Sequence, residues 1–359
     1  MTAIVRSIVI ILLGVFLSGC VQKEILDDIN LIECIGFDHS DEEDKINGTI
    51  LFSIYQPDQP PKNTTINAKG RMKKTVLQDM QLHSTNPIVT GSMELVLFGK
   101  ELATKNGVLD LVDPFQRDPG VGSGLNVALV DGEAKDLLEG EYGIKGNATF
   151  ISDLIKNNIE NEDLPKTNLQ LFLKGFYSEG QTPFLPQLKQ LSKDSIELNG
   201  IAFFRNGKIV ETILPEQMFF FKLLVDKYSN GLHRVKIDGD EAAIRSIRSV
   251  HKFKLESRSP FEITVDIRVN GIINEFSGNR LTPKKIAELE QRFEDEITKE
   301  CLKLISIFKD KEIDPIGFGH FVKTQDRNFD IDKWNEAQYQ ELIVKIHPKV
   351  KITEAGVIE

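Results

Sequence analysis

The stretch from Phe261 to Val269 sets Phe261, Ile263, Val265, Ile267 and Val269 in alternation with Glu262, Thr264, Asp266 and Arg268. A period of two over that length is a strand with one dry face. Beyond Ser277-Gly278-Asn279 the period changes, because Ile286, Leu289, Phe293, Ile297, Cys301, Leu304 and Phe308 follow at steps of three and four. Thr282 is placed to cap that helix and Pro283 to open it. Roughly 26 residues at 1.5 Å each give a helix about 39 Å long, whose single apolar stripe needs a sheet to cover it. Leu342, Val344, Ile346, Val350 and Ile352 supply a further strand, and Pro348 confines it to an edge or a bulge. A C-terminal α+β domain over about residues 250–359 follows.

The opposite end of the chain is of another kind. Arg6 precedes an apolar run from Ile8 to Phe16, and Leu17-Ser18-Gly19-Cys20 closes it. This resembles a lipoprotein signal peptide with its lipobox, which implies removal of residues 1–19 and lipidation of Cys20. An uncleaved membrane helix needs about 20 apolar residues, twice the run available. An ordinary secretory signal or a buried first element is the remaining alternative. After Phe16 no stretch is apolar for long enough to span a bilayer. The formal net charge of −10 disfavours nucleic acid and anionic headgroups as partners, leaving the lipid as the membrane attachment.

Between the two ends the elements are shorter. Leu31–Phe37 and Ile46–Tyr55 read as a hairpin around a charged loop, and Gln56–Arg71, with Pro57, Pro60 and Pro61, as a boundary or extended crossover. Helices are expected over 75–84, 107–115, 132–138 and from Thr149 or Ser152 to Ile159, with strands at 93–98, 125–130 and 169–177. Gly140 is expected to close its helix with a positive φ. Ile201–Arg205 and Lys208–Glu211 flank Asn206-Gly207, the pair that suits a type I′ turn. Leu214-Pro215-Glu216 opens a helix through Phe219-Phe220-Phe221, covered on two sides and stopped by Asn230-Gly231. The division expected is 1–19 signal, 20–192 as two α+β subdomains with a break near 56–71, and 193–359 containing a 200–231 hairpin-helix unit and the final domain. The fold class is α+β and multi-domain, with mixed or antiparallel sheets each packed with helices, in about three small domains.

Chemistry is sparse. His39, His83, His233, His251, His320 and His347 stand singly, without the His-Glu-x-x-His spacing that holds zinc. Asp238-Gly239-Asp240-Glu241 lacks the ligand ladder of a calcium loop. Gly120-Val121-Gly122-Ser123-Gly124 lacks the Lys-Ser/Thr of a phosphate loop and precedes a strand instead of following one, and Ser123 is not on a nucleophile elbow. Glu42-Glu43 and Glu294-Asp295 read as solvated surface. Besides Cys20 there are Cys34 and Cys301, both in apolar settings that suit unpaired core thiols, with a disulfide as the alternative. No catalytic residue, cofactor or metal is expected, so function turns to binding.

Several segments carry a family resemblance. They are the lipobox ending at Cys20, INLIECIGFD from Ile29 to Asp38, Arg117-Asp118 after Pro114-Phe115, GIAFFRNGKIVETILPEQ from Gly200 to Gln217, DPIGFGHFVK from Asp314 to Lys323, Trp334 in DKWNE, and the closing VKITEAGVI. In this order and spacing they resemble the Ger(x)C family, the lipoprotein C subunits of spore germinant receptors in endospore-forming Gram-positive bacteria. The family commonly has an aromatic residue after the lipidated cysteine, where this chain has Val21. The resemblance implies three α+β domains and a non-enzymatic protein, lipidated (palmitate or a similar acyl group) on the outer face of the spore inner membrane or cell membrane. The implied partners are the integral membrane A and B subunits of a germinant receptor. The alternative is a stand-alone solute-binding or cell-envelope lipoprotein, which needs a pocket of several hundred Å³.

Overall fold

A computed structural model describes residues 28–54, 58–122, 124–227, 231–237, 239–278 and 280–355. The lipobox with Cys20, Tyr55 to Pro57, Ser123, Asn230, Asp238 and the last residues lie outside these. The strands are β1 (Asn30–Leu31), β2 (Cys34–His39), β3 (Ile46–Ile54), β4 (Lys62–Gly70), β5 (Ile88–Val89), β6 (Leu95–Gly99) and β7 (Asn126–Val130), then β8 (Phe184–Ser192), β9 (Ser195–Arg205), β10 (Lys208–Ile213), β11 (Gly231–Ile237), β12 (Asp240–Arg258), β13 (Phe261–Phe276) and β14 (Ile343–Ala355). The helices are α1 (Lys73–Leu82), α2 (Lys100–Lys105), α3 (Leu109–Gln116), α4 (Ala134–Leu138), α5 (Asn147–Asn161), α6 (Leu169–Tyr177), α7 (Pro215–Val225), α8 (Pro283–Asp310) and α9 (Phe318–Gln325), followed by a short helical stretch with a π turn at Trp334–Gln338.

Eight strands form one mixed sheet in the order β10-β9-β8-β7-β6-β2-β3-β4, and four form a second in the order β11-β12-β13-β14. The centre of the first sheet, β2, β6, β7 and β8, is parallel. Parallel strands are covered on both faces and become continuously apolar. In β6, Leu95 and Leu97 face α4, α5 and α7, while Val96 and Phe98 face α1, α2, α3 and α6. The first of these cores runs on without a break through α7 and α8 into the second sheet. Phe203 of β9, Phe221 of α7 and Phe308 of α8 meet there, the Phe203 centroid lying 5.1 and 4.9 Å from the other two. This mixed α+β architecture of sheets with flanking helices is the expected class.

The locally strong signals are realised. Asn206 and Gly207 have φ of 53° and 77° in the β9–β10 hairpin. The Thr282 hydroxyl accepts from the Lys285 N–H at 3.3 Å, and the stripe from Leu289 to Phe308 is buried. Phe219, Phe220 and Phe221 are all buried, and β14 is an edge strand. Cys34 and Cys301 are unpaired and fully buried, and burial pushes both thiols up from the usual range.

Other expectations are corrected. Residues 169–177 form a helix, because Leu169, Phe172 and Leu173 make a buried stripe and Asn168 caps it by accepting from Leu171 N–H at 2.9 Å; the alternation of Leu169, Leu171 and Leu173 imitates a strand. Much of Gln56–Arg71 is the edge strand β4, where only one face meets the core. Gly140 follows the Glu139 cap without a positive φ, which Gly132, Gly143 and Gly146 supply instead. Helix α5 begins at Asn147, ahead of Thr149, and α7 ends at Val225, short of Asn230. Glu294 is not simply solvated: with Glu290 it accepts the edge N–H groups of Val350 and Ile352 at 2.9 and 2.8 Å, covering β14 from α8. Unpaired edge donors are a standing liability of sheets, and these two are capped.

Candidate functional site

The family-like segment Asp314–Lys323 lies where the loop after α6 meets the C-terminal sheet. Asp314-Pro315-Ile316-Gly317 turns sharply, Gly317 taking φ 82° to start α9. The Asp314 carboxylate accepts three backbone N–H bonds, from Gly317 at 2.8 Å, Phe318 at 3.0 Å and Gly319 at 2.7 Å. An anion at a helix N-terminus satisfies donors that the helix itself cannot. Burial nevertheless outweighs these bonds and raises the acid to about 6.

The same turn is stitched to residues 180–182. The Thr182 hydroxyl accepts from Asp314 N–H at 2.8 Å, Thr182 N–H donates to the Asp314 carbonyl at 2.9 Å, and His320 N–H donates to the Gly180 carbonyl at 2.9 Å. Gly180 has φ 69°, and a Cβ on it would lie 2.5 Å from the Gly319 carbonyl carbon. Trp334 closes the other side, its ring 5.7 Å from Phe261 and 5.6 Å from Phe329. We predict that Gly180→Val combines a strained dihedral with a backbone collision and costs about 2–3 kcal/mol, read as a lower urea midpoint; an unchanged midpoint would show that the loop shifts freely.

Two hollows adjoin these parts and a third lies elsewhere. One of about 410 Å³ lies between Phe176, Arg205, Trp334 and Gln340, and one of about 360 Å³ between Lys166, Lys174, Phe184, Lys227 and Ile316. The third, about 690 Å³, lies at the start of the described chain between Asn30, Glu33, Ser53, Thr64, Glu94 and Thr149. Glu33 accepts from the Ser53 hydroxyl at 2.8 Å, and burial together with the Glu33 charge raises Glu94 above its usual range. Exposed large apolar side chains, Met72, Leu82, Ile144, Tyr177 and Leu214, are dispersed over different segments.

The sites weighed from sequence fall as follows. Cys20 and Ser123 are outside the described residues. The histidines are dispersed: His39 bonds Asn106, His233 lies among Phe219, Phe220 and Phe293, and His251 bonds the Asp226 carbonyl. Asp240 of the acidic turn pairs with Lys285 at 2.9 Å. Among the described residues no three His, Cys, Asp or Glu side chains are grouped to hold a metal ion. Sequence reasoning missed the part played by Asp314, although Asp-Pro-x-Gly before an apolar helix is a turn-and-cap signal. A second family-like segment has a structural part as well: Asp38, closing INLIECIGFD, caps α4 by accepting from Ala134 N–H at 2.7 Å and Lys135 N–H at 2.9 Å.

A family model described as the spore germination protein N-terminal domain matches residues 22–190, and one described as spore germination B3/GerAC like, C-terminal, matches residues 199–356. Spore germination protein GerQC of Bacillus cereus is 32% identical, with 99% of each chain covered. Spore germination protein A3 of Bacillus subtilis (strain 168) is 22% identical over 76% of this chain and 74% of that one. A crystal structure of the GerBC protein superposes with a TM-score of 0.61 at 15% identity, over 89% of this chain and 97% of that chain, a likeness of fold.

Proposed function

Because the chain belongs to the GerAC family of spore germination proteins, matched along nearly its whole length, and is a non-enzymatic member of it, we propose that it is the lipid-anchored subunit of a spore nutrient germinant receptor. Cys20 carries the lipid after removal of residues 1–19. The folded body sits on the outer face of the spore inner membrane, where it contacts the integral membrane A and B subunits. The observation that carries this reading is a lipobox ending at Cys20, directly ahead of a body whose family segments follow in register. No helix among the described residues is long and apolar enough to cross a membrane. From Cys20 to the first described residue, Asp28, the chain is short, and fully extended it spans no more than roughly 29 Å. The body is therefore held close to the bilayer, where confinement raises its effective concentration toward membrane partners by 10²-fold or more, as an order-of-magnitude estimate.

The test is Cys20→Ala. The mature protein should have a mass that begins at residue 20 with acyl chains attached, whereas the variant should stay folded, leave the membrane and no longer co-purify with polytopic subunits. Wild-type protein retaining residues 1–19, or a free sulfhydryl at Cys20 in native membranes, would refute the anchoring. The hollow of about 690 Å³ suits the second reading, a stand-alone solute-binding or cell-envelope lipoprotein. That reading is favoured if the lipidated protein is recovered without polytopic subunits.

A further inference from the structure

We propose that the cleft of about 360 Å³ beside the Asp314 turn is a binding site for a small oxyanion carried on an apolar body. Lys166 before α6, Lys174 in the last turn of α6 and Lys227 after α7 all line it. All three are exposed, and none forms an ion pair with a described residue. Three lysines lining one hollow are unexpected in a chain whose net charge is −10, because like charges held close together repel.

Only one acid lines the cleft. Asp226 is 9% exposed; burial raises it above its usual range, while the Lys166 backbone N–H at 3.2 Å and the charges of Lys222 and Lys166 draw it back down, so it offsets part of the Lys166 charge and leaves Lys174 and Lys227 without an acid partner in the lining. Asp314 is close by in sequence to the Ile316 wall, but its carboxylate is turned onto the α9 N–H groups. The lining also includes the Gln181 amide, which makes no hydrogen bond to a described residue.

The rest of the surface selects the ligand further. Leu171, Phe184 and Ile316 give the cleft an apolar wall. Ammonium groups bind a carboxylate or phosphate as point charges, while an apolar wall rewards a hydrocarbon body. The lining residues come from 166–184 on one side and 225–227 with 315–316 on the other. A bound anion would tie those segments together. This inference does not depend on the lipid anchor.

The test uses the full processed chain in a non-ionic detergent, titrated calorimetrically with 4-methylpentanoate, inorganic phosphate and 4-methylpentanamide. The expected order is 4-methylpentanoate tightest, phosphate weaker and the amide silent, with affinity for the carboxylate falling as salt is raised. Replacing Lys166, Lys174 and Lys227 together by Ala should weaken 4-methylpentanoate about tenfold or more, from three exposed charge contacts of modest size. The thermal midpoint should not fall, which separates a binding role from a structural one. Lys174→Glu is a second variant at one exposed position and should weaken binding in the same direction. Unchanged affinity in both variants, phosphate binding as tightly as 4-methylpentanoate, or no saturation by either anion would overturn the proposal.

Discussion

Asp314→Ala is expected to destabilise the protein by about 4 kcal/mol, because it strands several buried N–H donors at once. The three donors belong to Gly317, Phe318 and Gly319, and the carboxylate that takes them is 6% exposed. Alanine supplies no acceptor, and the packing of Gly319 against Trp334 and Gly180 leaves little space for water to replace it. Asp314→Asn keeps one acceptor oxygen, so about half of that loss is expected. Urea unfolding measures the difference, and hydrogen exchange locates it: the amides of Gly317, Phe318 and Gly319 should lose more protection in the alanine variant than those of β6 and β7, which fall only with the global stability. A larger loss of protection in the eight-stranded sheet than at the turn, or none at Gly317 to Gly319, would contradict the assignment of the effect to this turn.

The sequence was most legible where a signal is local and periodic. The Asn206-Gly207 turn and the Thr282-Pro283 helix start are each set by residues within a few positions of one another, and the structure keeps them. Legibility failed where the partner is distant. Strand β4 has a polar composition because it is an edge with one face against α1, and Pro186 sits inside β8 because pairing with β7 begins only at Gln187. The missing N–H of Pro186 therefore interrupts no ladder on that side. Helix α6 was misread because Leu171, 43% exposed, completed an alternation that the core does not use.

The site followed the same rule. Asp38 looks in sequence like an ordinary surface acid, and only the fold brings a backbone donor 96 residues away onto its oxygen, whereas the donors to Asp314 lie three to five residues on and its Asp-Pro-x-Gly signal is local. The lysines of the proposed anion cleft are likewise separated in sequence and meet through the packing of α6 against the sheet. Of the family-like segments, INLIECIGFD and DPIGFGHFVK each end or begin with such an acid. In this chain each of the two acids caps a helix.

Acidification from pH 7 to pH 5 should stabilise the folded body by about 3 kcal/mol, opposite to the usual behaviour of a protein held by ionised carboxylates. Asp38, Asp163 and Asp314 are each raised by burial to about 6 from an ordinary value of 3.8. Glu133 and Asp136 push Asp38 further up, whereas Lys222 and His233 pull Asp163 down; one Asp163 oxygen has no hydrogen-bond partner in the structure. A raised folded value means that the native state binds the proton first. Its stabilisation is complete below the unfolded value near 3.8 and is lost as the pH rises through about 6. Each such group contributes about 1 kcal/mol between pH 7 and pH 5. Glu94 and Asp226, also raised by burial, act in the same sense, while His251, lowered by burial, acts against them. Asp131 and Asp266, lowered by lysine partners, weaken the fold only below the ordinary carboxylate range. Urea unfolding at half-unit steps gives the slope, and Asp163→Asn or Asp314→Asn should each flatten it by about 1 kcal/mol over this range, whatever the variant's absolute stability. A slope that is flat or reversed in the wild-type protein would mean that the backbone donors, rather than burial, set the charge of these acids.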